Sequence, residues 1–392
     1  MLILGAGRIG ACIARALASS GRYDVTIADK FPAALKGLEG MAGLKTAVVD
    51  VEDKSELLKV MKHQQAVLSA CSFHQNCLIA ESALKAGLSY FDLTEDVETT
   101  RHIRQLSHKA MAGQIFMPQC GLAPGFISIL GNNVAQKFDE LHSLKLRVGA
   151  LPEFPSNQMM YNLTWSTDGL INEYCNPCEA IRDSKMLEVL PLEGLETFSL
   201  DGLEYEAFNT SGGLGSLCET WHTRVRELNY KTIRYPGHCY LMHFLVNELR
   251  LGEVGERRAM LKQIFESSVA GTYQDLVLIL VIGSGMIDGK RMNHTELRKI
   301  YHGDVFGLGE NWSAIQKTTA LSAAVVVDLH FESMLADRGF IRQEEVALEK
   351  FMNSAFAAVF RPQSHDGASG VDGASGAGLL TPTGGSLPKE RS

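Results

Sequence analysis

Near its start the chain reads Leu2-Ile3-Leu4-Gly5-Ala6-Gly7-Arg8-Ile9-Gly10, three apolar residues running into glycines at the first, third and sixth places of a six-residue turn. The apolar triplet predicts a short buried strand, and the residues after the turn predict a helix over 8–20. Between the two, Gly5 permits the tight turn, Gly7 lets a ligand approach the backbone, and Gly10 lets the helix pack closely on the strand. Arg8 and Ile9 open the helix, whose free N–H groups and positive dipole end favour a pyrophosphate. Asp29 ends a second apolar run 19 residues after Gly10, where a carboxylate accepts from adenosine ribose hydroxyls and opposes a 2′-phosphate. The expected cofactor is therefore NAD, with Lys30 next door leaving room for NADP. Asp50 and Ala70, at the ends of the third and fourth apolar runs, complete the candidate dinucleotide contacts.

Working outward, the first ~120 residues alternate short β-branched runs with amphipathic stretches. Strands are predicted at 2–4, 25–29, 45–49, 66–70, 89–92 and 115–118, and helices at 8–20, 32–40, 54–63, 76–87 and 97–113. Such alternation predicts an α/β class, a doubly wound Rossmann domain over 1–122. From about residue 144 the texture changes to longer strands and proline-bearing loops, with strands predicted at 143–149, 194–203, 231–235 and 276–282. That reads as an α+β substrate and dimerisation domain over 123–360 with a mainly antiparallel sheet. A helix over 312–329 is expected to return to the first domain. Residues 361–392 are Gly-, Ser- and Ala-rich and repeat Asp-Gly-Ala-Ser-Gly, which predicts a disordered tail.

With 392 residues, 45% hydrophobic and 21% charged, the chain has the composition of an ordinary globular protein. A net charge of -8 without a basic run argues against a nucleic-acid surface. No apolar stretch approaches the ~18 residues that span a bilayer, and no signal peptide is read at the start. The expectation is a cytoplasmic protein acting on a small molecule. Eight cysteines without regular spacing do not form a disulfide framework, and the lone Cys175-x-x-Cys178 pair lacks two further zinc ligands, so no metal is expected.

Five further motifs occur in order: Ala-Gly-Leu-Ser-Tyr-Phe-Asp at 86–92, Pro-Gln-Cys-Gly-Leu-Ala-Pro-Gly at 118–125, Thr-Trp-Ser-Thr-Asp-Gly-Leu-Ile at 164–171, Ala-Phe-Asn-Thr-Ser-Gly-Gly at 207–213, and Lys-Thr-Ile-Arg-Tyr-Pro-Gly-His at 231–238. With these the chain resembles the saccharopine dehydrogenase family, which includes saccharopine reductases, lysine 6-dehydrogenases and carboxynorspermidine synthases. The resemblance runs to about residue 360. It implies nicotinamide-dependent oxidation at a carbon–nitrogen bond of lysine or a lysine-derived amino acid. Fungal reductases carry Gly-Leu-Asp-Pro-Gly where this chain has Gly-Leu-Ala-Pro-Gly, a departure that bears on whether saccharopine itself is the substrate.

Such chemistry needs a group that keeps the amine neutral and anchors for the substrate's charged ends. The loops at 71–76 and 119–124 leave the carboxyl edge of the sheet, where doubly wound folds bind ligands. They and the neighbouring strand end offer His74, Cys120 and Asp92 as catalytic candidates; the other readings are a solvated histidine, a packed thiol and a turn cap. Arg234 is the candidate for an α-carboxylate, or else a domain-interface ion pair. Trp165, Asp168, Asn209 and His238 complete the candidate substrate contacts. Two other readings stay open: an imine reductase of the carboxynorspermidine synthase type, and a dinucleotide-sensing protein without catalysis. A homodimer is expected.

Overall fold

The computed structural model describes residues 1–305 and 311–362; the predicted tail lies outside them from residue 363. The first sheet is built from β1 (Leu2–Leu4), β2 (Val25–Asp29), β3 (Leu44–Val48), β4 (Ala66–Ser69), β5 (Ser89–Asp92) and β6 (Ile115–Met117). All pair in parallel, with β1 at the switch point between β2 and β4. The central strands β1 and β4 are nearly continuous apolar, buried runs because helices cover both faces, whereas the edge strand β3 is only partly buried. The expected Rossmann sheet is present, and its strand limits follow the reading to within a residue. Two helices are shorter than expected. Residues 32–40 form one turn, Pro32–Leu35, followed by a 3-10 turn at Lys36–Leu38, and the helix begun at Val97 stops at Ser107.

The second sheet contains β7 (Glu140–Pro152), β8 (Cys178–Arg182), β9 (Lys185–Val189), β10 (Glu196–Leu200), β11 (Leu203–Asn209), β12 (Val225–Arg234), β13 (Asp275–Ile287) and β14 (Lys290–Tyr301). Its order is β10-β11-β12-β7-β13-β14, with β8 and β9 set off β12. It is antiparallel except for the β12–β7 pair, which is parallel. The single strand expected at 194–203 is instead a hairpin. Asp201 and Gly202 take φ of 52° and 79°, the left-handed pair that an Asp-Gly hairpin turn adopts.

The last part of the chain returns to the first sheet. The helix Ala314–Phe331, capped by Ser313 and Gln316, buries its alanine- and valine-rich length against the helix Arg8–Ser19. Beyond it, the strand Gly339–Phe340 pairs in parallel with β6 as a seventh strand, which was not expected. One hydrophobic core therefore runs from Ile3 and Ile13 through Phe126 and Leu146 to Val277, Leu321 and Phe356. Among the described residues no helix is long and apolar enough to cross a membrane.

Candidate active site

A cavity of about 730 Å³ opens where the two sheets meet. At one end lies the glycine turn. A Cβ on Gly10 would sit 1.9 Å from the Gly5 carbonyl oxygen, and Gly5 itself has φ +95°, so neither position admits another residue without strain. Gly7 differs: nothing lies within 4 Å of where its Cβ would be, and the residue lines the cavity. That open backbone precedes a helix with no side-chain cap at its N-terminus, so first-turn N–H groups are left for an anion. Asp29 reaches back to the same turn. Its Oδ2 accepts from the Ala6 N–H at 2.7 Å and its Oδ1 from the Phe31 N–H at 2.8 Å. These residues fit a dinucleotide: Gly7 would face its pyrophosphate and Asp29 its adenosine ribose.

Arg8, Ile9 and Ala70 also line the cavity, and the Arg8 guanidinium lies 4.9 Å from the Tyr273 ring centre, over a loop of the second domain. Lys30 is exposed, with its ammonium 5.3 Å from the ring centre of Phe31. Asp50 is outside the cavity lining and accepts from the Glu52 N–H, a turn contact.

At the other end stands Arg234, the last residue of β12, only 2% exposed. Its Nε donates to the Tyr174 hydroxyl at 2.9 Å and its Nη1 to the Ile233 carbonyl at 2.9 Å. The Tyr161 ring centre lies 5.1 Å from its guanidinium carbon. Burial opposes the charge, but the oxygens of Tyr174, Tyr161 and Glu173 around it, Tyr174 accepting from Nε, offset that, and the guanidinium stays protonated. Behind Tyr174 sits His238. Burial and the nearby Arg234 push its imidazole down to about 3, so it is neutral. The Met159 carbonyl 2.9 Å from Nδ1 can only accept, so Nδ1 carries the proton, and Nε2 accepts from the Tyr174 hydroxyl at 3.0 Å. The order Arg234 to Tyr174 to His238 to Met159 leaves each donor one acceptor and aims the guanidinium. His238 is thus outside the cavity lining, a correction to its expected place as a substrate contact; it positions Arg234.

Trp165 lines the cavity beside Gly169, where a Cβ would meet its ring at 2.3 Å. Asp168 reaches the cavity rim, half exposed and paired with Lys262 at 2.7 Å. Asn209 does not reach it: its Nδ2 donates to the Leu190 carbonyl and ties down the loop before β10.

The three catalytic candidates also lie off the lining. His74 is exposed and its ring lies tilted against Phe73, with ring centres 4.0 Å apart. Cys120 is fully buried; its Sγ donates to the Met117 carbonyl and receives Gln343 Nε2, and burial pushes the thiol well above its ordinary range. Asp92 is fully buried, accepting from the Gln119 and Thr94 N–H groups and the Tyr90 hydroxyl, with burial raising it to about 6. It joins the loops that follow β5 and β6, and those loops supply Thr94, Glu95 and the stretch from Gly121 to Pro124 to the cavity wall.

Two acids that the sequence reading passed over are in that wall. Glu95 follows β5, in a loop with no periodic signal. Glu173 lies in the helix Thr167–Cys175 among buried Leu170, Ile171 and Tyr174, and an acid on that apolar stripe was the readable sign.

A glycine cradle, an acid at the end of β2 and a cleft closed by a second domain define a nicotinamide-dinucleotide-binding protein of two-domain design. Residues 1–117 match the saccharopine dehydrogenase NADP binding domain, and residues 121–358 the saccharopine dehydrogenase C-terminal domain. The chain belongs to the saccharopine dehydrogenase family. It is 28% identical over 202 residues to saccharopine dehydrogenase [NADP(+), L-glutamate-forming] of Saccharomyces cerevisiae, covering 47% of this chain and 43% of that protein. With the enzyme of the same name from Schizosaccharomyces pombe it shares 22% over 272 residues, 65% of this chain and 59% of that one. The chain spans about half the length of these curated relatives. In fold it is similar to apo saccharopine dehydrogenase (L-Glu forming) from Saccharomyces cerevisiae, with a TM-score of 0.72, 16% identity, and 90% and 95% of the two chains covered.

Proposed function

We propose that this chain is an NAD(P)-dependent oxidoreductase acting on a carbon–nitrogen bond of lysine or a lysine-derived amino acid. The observation that carries the reading is one cavity with a dinucleotide cradle at one end and a buried, aimed arginine at the other. When bound, the nicotinamide accepts or returns the hydrogen at carbon. The chain's own residues do the rest. Arg234 matches an α-carboxylate, Trp165 covers the bound chain, and the walls from Val148, Ala150, Leu163 and Ile315 exclude water. Names of the relatives support an amine substrate that yields an amino acid.

For the cofactor we propose NAD ahead of NADP, although the relatives carry NADP in their names. The Asp29 carboxylate is held in place by two backbone donors, and a 2′-phosphate beside it would meet a fixed negative charge. The reading includes a homodimer in the cytoplasm. The experiment is an absorbance assay for reduced nicotinamide with NAD and with NADP against L-lysine, saccharopine and carboxynorspermidine. Turnover of at least one amine, faster with NAD and lowered at least ~100-fold in kcat/KM by Arg234→Ala, is expected, since a charge-assisted fork contributes roughly 3 kcal/mol. No turnover with any of the three, or an unaffected Arg234→Ala, overturns the reading; preference for NADP overturns only the cofactor assignment.

A further inference from the structure

Glu95 and Glu173 belong to the cavity wall and to no ion pair among the described residues. Glu173 is 6% exposed, and no described group donates to its carboxylate; its backbone carbonyl alone is used, accepting from the Ser211 N–H. Glu95 comes from the dinucleotide-binding domain; besides its own backbone N–H, it receives a long bond from Asn172 Nδ2, at 3.5 Å to Oε1. The two domains bring these acids together through a glycine pair. A Cβ on Gly212 would lie 2.7 Å from the Glu95 carbonyl oxygen, and one on Gly213 would lie 2.3 Å from the Tyr230 ring, so only glycines let that loop close over Glu95. Arg234 forms no ion pair with either acid, although Glu173 is close enough to feel its charge. At this end of the cavity the fold therefore presents Arg234 and two carboxyl groups that no ion pair among the described residues joins.

We infer that Glu95 and Glu173 act as a carboxylate pair that receives the protonated side-chain nitrogen of an amino acid whose carboxylate lies on Arg234, and that the pair takes that nitrogen's proton. The inference rests on the proposed amine-oxidising reading of the site. In the step, an N–H bond breaks, its electron pair stays on nitrogen, and an O–H bond forms on a glutamate oxygen; nothing is oxidised or reduced. The lone pair so released is what oxidation at the neighbouring carbon requires.

Two carboxylates in a dry wall resist ionising together, which makes the pair a base of near-neutral strength. Burial is the main cause, raising Glu173 to about 8 and Glu95 to about 7. Glu95 raises Glu173 against the opposing pull of Arg234, while Asp96 and Asp92 raise Glu95 from its own loop and strand. The other titratable groups around Glu173 are Tyr161, Tyr174, Tyr230 and Cys178, all held neutral by burial.

The test is calorimetric titration of the full chain with L-lysine, saccharopine and L-norleucine, which has the length of lysine without its second nitrogen. Wild type, Glu95→Gln and Glu173→Gln are each titrated in two buffers of different protonation heat. Expected is binding of L-lysine or saccharopine at least about tenfold tighter than norleucine, with buffer-dependent heat showing proton exchange. In either variant that advantage falls below about threefold while norleucine's affinity is kept. Equal binding of all three amino acids to wild type, or an advantage unchanged in both variants, overturns the inference. Infrared spectra of the ligand-free protein add a readout independent of turnover. A protonated-carboxyl component that persists between about pH 7 and 8 and is lost in Glu173→Gln supports the pair, and its absence from wild type overturns it. Band and binding preference without dinucleotide reduction would sink the oxidoreductase reading and leave the pair standing; binding of none of the amino acids sinks both.

Discussion

Arg234 shows how one side chain acquires a function from its neighbours. Its fork is a general reader of carboxylates, but only the Tyr174 and Ile233 contacts fix where it points. At the same scale Glu173 yields a stability prediction. Its folded carboxyl is raised from 4.5 to about 8 by burial. Between those values the folded chain keeps a proton that the unfolded chain releases, so stability falls as pH rises through the interval. Glu173→Gln removes that loss. Thermal melts should show the variant gaining on the order of 2 kcal/mol over wild type near the top of the interval and close to nothing at its acid end. An equal difference at both ends would show that the side chain does not titrate there. Local sequence singled out Arg234 and Trp165, both in the cavity wall, because they sit in motifs. It gave no sign that Cys120 faces Gln343 rather than the cavity, since that contact joins residues more than 200 positions apart.

At the scale of elements, the glycine turn and the helix Arg8–Ser19 act as one unit. Gly10 sits against the Gly5 carbonyl with no room for a methyl group. Gly10→Ala should push the helix off β1, costing ~1–3 kcal/mol, and should abolish the rise in melting temperature that NAD gives wild type. A retained NAD-dependent rise would show that the cradle lies elsewhere. The parallel strands were readable almost residue by residue because each is a short apolar run between turn residues whose chemistry is local. The second sheet was less so. β12 begins Val225-Arg226-Glu227, an alternation with one exposed edge, and only its buried end near Lys231 stood out. The hairpin between β10 and β11 had its sign in Asp201-Gly202, set between two alternating stretches that the reading joined into one strand.

On the scale of the whole molecule, the end of the chain completes its beginning. Ile341 donates to the Phe116 carbonyl and Gln343 to the Pro118 carbonyl, while Glu344 accepts from Ser216 and Thr220 of the second domain. With one core shared by both sheets, calorimetry should show a single melting transition, and Glu344→Ala should lower it by ~1–3 kcal/mol without splitting it. Two resolved transitions in wild type would mean that the domains are energetically separate. By itself the sequence determined the dinucleotide turn, the acid that follows it and the alternation behind the first sheet, because these depend on backbone freedom and burial over a few adjacent residues. Only the tertiary structure decided that Glu95 and Glu173 share a dry wall with Arg234, and that His238 serves Arg234 through Tyr174. Convergence and desolvation arise when distant segments pack, and neither leaves a pattern in the residues beside them.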